Sequence, residues 1–120
     1  MSEEKTEEIE YWENGAMKKK SHLKNGELGG LVTSWYESGG RESEIPYKDG
    51  ELEGLATSWY ESGEKKAEIH YKDGNAEGLV TSWHESGGRK SEVHVKNGER
   101  EGTFTTWYES DKKNTELHFK

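Results

Sequence analysis

The sequence of 120 residues contains no cysteine, a single proline and no long apolar run. Without cysteine the chain can form no disulfide and offers no thiolate for a metal site or for nucleophilic catalysis. No segment approaches the roughly 20 apolar residues that a transmembrane helix needs. The acidic N-terminal residues also lack the apolar stretch of a signal peptide. We therefore predict a cytoplasmic location.

Clustered positive charge is also scarce. The chain has 17 lysine and arginine residues against 25 aspartate and glutamate residues, which gives a formal net charge of −8. Neutralisation of phosphates needs clustered basic side chains, so nucleic acid is not an expected partner. One short basic run, Lys18 to Lys20, gives only weak attraction to an anionic membrane, and membrane association is disfavoured.

Apolar residues make up only 28% of the sequence, but the chain carries 5 tryptophans and 6 tyrosines. Disordered chains rarely contain so many aromatic residues, and each aromatic side chain buries a large area. The small apolar fraction disfavours a thick two-layer core. The composition therefore favours a thin architecture held together by aromatic side chains.

Internal repetition dominates the sequence. Four tryptophans recur at an interval of 24 residues, and a tyrosine stands one interval before the first, so that the chain holds five periods. These structural aromatic residues are Tyr11, Trp35, Trp59, Trp83 and Trp107. The same interval separates the turn glycines Gly26, Gly50, Gly74 and Gly98, and the carboxylates Glu13, Glu37, Glu61, Glu85 and Glu109.

Each period contains two turn signals separated by runs of strand-forming residues. One signal is Asn-Gly or Asp-Gly, the dipeptide that closes tight hairpins, and in most periods the other is Ser-Gly. The pattern predicts an all-β fold, a single elongated antiparallel sheet of about five stacked 24-residue β-hairpin repeats in an open solenoid. We assign residues 1–8 to a flexible acidic leader and residues 9–120 to one repeat domain. We further expect a neighbouring ring to lie over the backbone at Gly30 and its equivalents.

Alternation along a strand places the tryptophan of each repeat and the next residue on opposite faces. Because a shift of one residue in register exchanges the faces, the sequence leaves open which aromatic column is buried. We favour the tryptophan column as the packed one. The adjoining column admits histidine, which favours exposure, and we predict that it forms the face that binds a partner. Its members are Tyr36, Tyr60, His84 and Tyr108.

The repeat resembles the MORN-repeat variant family. The resemblance covers roughly Tyr11 to Lys120 and is carried by the segments from Gly54 to Gly63 and from Tyr71 to Gly74. In bacteria such repeats recur in tandem in proteins often labelled as antitoxin components. The resemblance implies a MORN-like sheet of stacked hairpins that binds proteins or, in related members, membranes. It implies no catalytic residues. Such repeats often carry an aromatic residue after Gly-Leu, whereas this chain has only Phe104 there.

A column of histidines invites a metal hypothesis. Its members are His22, His70, His94 and His118, and those in adjacent repeats lie about 9–10 Å from each other. Zn–N bonds are only about 2.1 Å long, so adjacent members cannot share one ion. The sequence contains no nucleophile–base constellation and no phosphate-binding loop. We predict no catalytic residue, no metal site and no cofactor.

The sequence thus indicates a non-enzymatic scaffold that binds a protein partner, for which a toxin is one candidate. The alternative is a structural protein that polymerises through the edge of its sheet. Leu117 and Phe119 lie on the C-terminal edge strand, which could pair with a second copy. Against this, the first repeat carries Glu4 and Glu7 where later repeats carry mainly leucine, which is typical of a polar cap. We expect a capped monomer, with self-association through the C-terminal edge strand as the alternative.

Overall fold

The computed structural model describes residues 4–119. In this part of the chain all regular structure is β-strand. The strands are β1 Lys5–Tyr11, β2 Met17–Lys24, β3 Glu27–Leu28, β4 Gly30–Trp35, β5 Arg41–Lys48, β6 Glu51–Leu52, β7 Gly54–Trp59, β8 Lys65–Lys72, β9 Asn75–Ala76, β10 Gly78–Trp83, β11 Arg89–Lys96, β12 Glu99–Trp107 and β13 Lys113–Phe119.

All strands belong to one antiparallel sheet, and the long strands follow one another in chain order. The order is β1-β2-β4-β5-β7-β8-β10-β11-β12-β13, while the two-residue strands β3, β6 and β9 pair with β2, β5 and β8. The described residues span 53 × 35 × 14 Å, which is the thickness of a single layer. The predicted fold is therefore confirmed: an open sheet of stacked hairpins.

The tight turns between repeats require the glycines of the Asn-Gly and Asp-Gly dipeptides. Asn25 and Gly26 have φ values of 51° and 84°, the left-handed pair of a type I′ hairpin turn. In the second glycine column the expected overlying ring is found only at Gly54, where the Pro46 ring lies 3.3 Å from the position of a Cβ. Gly30 has a φ of 77°, and no atom lies within 4 Å of the position that a Cβ would occupy, so that the backbone conformation and not an overlying ring requires glycine there.

A β-bulge in every hairpin determines which side chains share a face. Ser34 pairs with Ser43, but Trp35 pairs with Arg41, which leaves Glu42 as an extra residue in β5. The same register shift precedes Tyr11, Trp59, Trp83 and Trp107. The extra residue keeps each tryptophan opposite a cation and fixes the register that the sequence left open.

The two faces of the sheet have different compositions. Residues opposite each other on neighbouring strands share a face, so Thr33 lies beside Glu44 on the face of Trp35, which we call the indole face. Val32 lies beside Ile45 on the opposite face. Within the described residues Val32 is the sole buried hydrophobic residue, at 5% exposure. Hydrogen bonds and contacts between repeats therefore replace a conventional core.

The first strand reaches further towards the N-terminus than the predicted domain boundary. β1 begins at Lys5 and pairs with β2 from the Lys5–Lys24 pair onward. Residues 5–8 are thus part of the sheet, although we assigned them to a leader. The remainder of the predicted leader that precedes Glu4 lies outside the described residues, as does Lys120.

Candidate functional site

The predicted partner-binding column also connects the repeats. Tyr36, Tyr60 and His84 are half-buried, and the polar atom at the tip of each ring bonds the backbone carbonyl of the tryptophan in the next repeat. The distances are 2.5 Å from Tyr36 Oη to Trp59 O, 2.7 Å from Tyr60 Oη to Trp83 O and 2.9 Å from His84 Nε2 to Trp107 O. In the first repeat Trp12 Nε1 donates to Trp35 O at 3.1 Å.

This column is therefore less exposed than the sequence led us to expect. The hydroxyl groups of Tyr36 and Tyr60 are already bonded, and one edge of each ring is turned towards the next repeat. Tyr108 has no such acceptor within residues 4–119 and is 55% exposed. Of the four residues predicted to bind a partner, Tyr108 is thus the most accessible.

The environment of Tyr36 combines burial with negative charge. Burial of its hydroxyl, followed by the nearby carboxylates of Glu42, Glu61 and Glu85, raises the pKa of Tyr36 above its usual value of 10.0. Glu61 and Glu85 belong to the next two repeats. Because the hairpins stack in chain order, the carboxylates that follow the aromatic column lie along one side of the sheet.

These carboxylates form what we call the acidic ridge. All five are exposed and lie in the turn of their hairpin, four of them directly after the tyrosine–histidine column and the first directly after Trp12. Its members are Glu13, Glu37, Glu61, Glu85 and Glu109. Among the described residues, the salt bridges that involve the ridge are limited to the 4.0 Å contact of Glu109 with His84 Nδ1. The ridge is therefore a repeated and largely uncompensated row of negative charge.

On the indole face, by contrast, charges are compensated. The Arg41 guanidinium lies 4.6 Å from the Trp59 ring of the next repeat and 3.1 Å from a carboxylate oxygen of Glu44. Each such cation thus links a carboxylate of its own strand to an indole of the following repeat. The equivalent contacts are Lys65 with Trp83 (5.9 Å) and Glu68 (2.7 Å), and Arg89 with Trp107 (4.4 Å) and Glu92 (3.3 Å).

The histidine column lies on the indole face opposite a row of leucines. His70 and His94 are exposed and pair in register with Leu55 and Leu79, which are each 40% exposed. His118 Nε2 lies 3.2 Å from a carboxylate oxygen of Glu116. Among residues 4–119, no three His, Cys, Asp or Glu side chains are grouped so that they could hold a metal ion.

One cavity was not predicted from the sequence. It lies between β2 and β5 near the turn of Asp49, has a volume of about 520 Å³, and includes Gly29 in its lining. Gly29 occupies the column in which Glu53, Glu77 and Glu101 stand.

The C-terminal strand is an edge of the described sheet. β13 pairs with β12, and on it Leu117 is 47% exposed. Phe119 is partly covered, with the Arg100 guanidinium 5.8 Å from its ring. Self-association through this strand stays a prediction.

The geometry defines a class of protein: an open β-hairpin repeat scaffold whose repeats bond in series across a single sheet. The model of the family described as MORN repeat variant matches residues 6–25, 28–49, 52–73, 76–97 and 100–120. The chain therefore belongs to the MORN repeat variant family, as its resemblance implied. Comparisons with curated proteins and with solved structures found no match. No helix among the described residues is long and apolar enough to cross a membrane.

Proposed function

We propose that this chain is a non-enzymatic scaffold that binds a basic protein partner along the acidic ridge and the adjoining tyrosine–histidine column. The observation that carries this proposal is the ridge itself. It supplies one exposed carboxylate per repeat over five repeats, and four of these five form no salt bridge within the described residues.

Repetition also fits a partner better than a substrate. Two strand spacings of about 4.8 Å separate equivalent side chains of neighbouring repeats, so the ridge carboxylates stand about 9–10 Å apart. This is close to the Debye length at physiological ionic strength, so each carboxylate acts nearly independently on a cation placed above it. A row of separate charges matches a basic surface several residues long, whereas catalysis requires convergent groups.

Aromatic side chains beside the ridge would add contact area. The ring of Tyr108 is exposed, and those of Tyr36 and Tyr60 are half-buried but held in place by their hydroxyl bonds. Rings that are already ordered lose little conformational entropy when a partner binds. Charge would then guide the encounter, while the rings would contribute to the lifetime of the complex.

The experiment compares two variants of equal charge. In the first, three ridge residues are neutralised (Glu37→Gln, Glu61→Gln and Glu85→Gln). In the matched control the same change is made at the opposite turns (Glu27→Gln, Glu51→Gln and Glu99→Gln). Proteins captured from the native host by the wild-type chain are identified by mass spectrometry, and the affinity of each purified candidate is measured by calorimetry.

We expect a basic partner whose affinity falls at least tenfold with the ridge variant and less than about threefold with the control, because only the ridge variant removes charge from the contact. Tyr108→Ala should weaken binding further without loss of folding. Equal affinity for both triple variants would refute the ridge as the binding surface. An antitoxin role is the special case in which this partner is a toxic enzyme. It requires that co-expression of the chain with this enzyme restores the growth of the host cells.

A further inference from the structure

The turns of successive repeats are joined by a repeated carboxylate contact. Asp73 N, the first amide of its turn, donates to Glu53 Oε2 of the preceding repeat at 2.8 Å. One repeat further, Asn97 N donates to Glu77 Oε2 at 2.7 Å. The glutamate that precedes the Gly54 and Gly78 column thus supplies one oxygen to each following turn.

The second repeat has the same turn without the carboxylate. Gly50 N donates to Leu28 O at 2.8 Å, just as the equivalent amides do in later repeats, so the turn is held in the same position. Gly29, however, stands where the carboxylate would begin, and Asp49 N has no hydrogen-bond partner among the described residues. The Asp49 N–H donor is therefore in place, but the glutamate carboxylate that accepts the equivalent bond in the later turns is missing.

A cavity of about 520 Å³ lies at this turn, beside β2 and β5. This volume lies within the range of small-molecule sites. Lys5 and Lys48 contribute cations to its lining, and Leu23 and Tyr47 contribute apolar surface.

Two carboxylates also line the cavity. Glu7 lies 3.4 Å from Lys20 Nζ, so that its charge is compensated from outside the lining. Asp49 contributes both a carboxylate and the free amide. The lining also includes Lys24 and His22.

We propose that this cavity binds the carboxylate of an external molecule. One carboxylate oxygen accepts the Asp49 N–H, in the position that Glu53 and Glu77 take in the next two turns. The ammonium groups of Lys5 and Lys48 balance the charge, and the apolar part of the ligand contacts Leu23 and Tyr47. A free organic acid and the carboxylate of a peptide share this chemistry. The inference does not depend on the proposed function, because the cavity is lined by other residues than the ridge.

Butyrate is the probe, and its neutral analogue butyramide is the control. We expect butyrate, followed by ¹⁵N–¹H correlation spectra, to shift the Asp49 amide signal saturably, while butyramide has no such effect. Raising the salt concentration should weaken binding, because screening reduces the attraction of the lysines. Lys48→Met should weaken it several-fold. No saturable shift at Asp49, or an equal shift with butyramide, would overturn the proposal.

Two exchanges of residues between repeats provide a sharper test. Gly29→Glu restores the carboxylate, and it should abolish the butyrate response, because a tethered oxygen then occupies the site. The substitution is sterically open, since nothing lies within 4 Å of the Cβ position and Gly29 does not have a left-handed φ. Conversely, Glu53→Gly should create a butyrate response at Asp73. If Gly29→Glu leaves the response at Asp49 unchanged, butyrate binds elsewhere and the proposal is wrong.

The two ligand sources are distinguished with short peptides. One peptide has a glutamate side chain and an amidated C-terminus, and the other has a free C-terminus and no acidic side chain. Binding of either peptide at Asp49 in preference to butyrate identifies a peptide carboxylate, and binding of butyrate alone identifies a small organic acid. Failure of all three to shift Asp49 would refute the site.

Discussion

The hydrogen bond from Tyr60 to the next repeat offers a direct test of how this sheet is stabilised. Tyr60 Oη donates to Trp83 O at 2.7 Å, in a half-buried position between two repeats. The substitution Tyr60→Phe removes one oxygen atom and leaves the ring. It therefore tests the bond itself and not the packing of the aromatic column.

The expected loss of stability follows from the surroundings of the bond. A hydrogen bond of this kind contributes about 0.5–1.5 kcal/mol net, and the Trp83 carbonyl loses an acceptor interaction that water can only partly replace. We expect a decrease of about 1 kcal/mol. With an unfolding entropy of about 2.1 cal/mol/K per residue, this lowers the Tm of a chain of 120 residues by about 4 °C.

The assay is thermal and urea unfolding followed by tryptophan fluorescence, with a control from the same column. Tyr108 is 55% exposed, and its hydroxyl has no equivalent acceptor among residues 4–119, so Tyr108→Phe should change stability by less than about 0.5 kcal/mol. If the two variants are equally stable, the hydrogen bonds of the tyrosine–histidine column do not stabilise the stacking of the repeats, and our account of the sheet is wrong.

Two further predictions concern pH and the last turn. Because the pKa of Tyr36 is raised in the folded state, its contribution to stability is complete below about pH 10 and is lost as the pH rises through the raised value. Tyr36→Phe should therefore flatten the fall in Tm between pH 9 and pH 12, and an unchanged slope would contradict this. Asp111 has a φ of 71° where Gly15, Gly39, Gly63 and Gly87 stand in the other repeats. Asp111→Gly should stabilise the chain by about 0.5 kcal/mol in urea unfolding, with Asp111→Asn as a near-neutral control, and a loss of stability would refute the role of backbone strain.

Much of the architecture could be predicted from the sequence because it depends on local chemistry. Asn-Gly and Asp-Gly dipeptides favour left-handed φ values wherever they occur, and a constant interval of 24 residues repeats the same hairpin. Neither feature requires knowledge of distant contacts. The single open sheet followed because the few apolar residues could not fill a second layer.

The position of the β-bulge could not be predicted from the local sequence. Whether Glu42 or its neighbour is the extra residue depends on how two strands pair, and that choice decides which side chains face Trp35. The expected exposure of Tyr36 was likewise corrected by a contact with Trp59, which lies 23 residues away. Bonds of this kind exist only once neighbouring hairpins have stacked.

The sequence by itself determined the period, the hairpins, the turns and the family of this protein, because each rests on residue types at fixed spacing. Tertiary structure decided the pairing of faces, the bonding of the aromatic column and the lysine-lined cavity at Gly29. These three depend on atoms from different repeats meeting in space. The cavity at Gly29 has its wall because the turn of Asp49 is held in place by the bond from Gly50 N to Leu28 O.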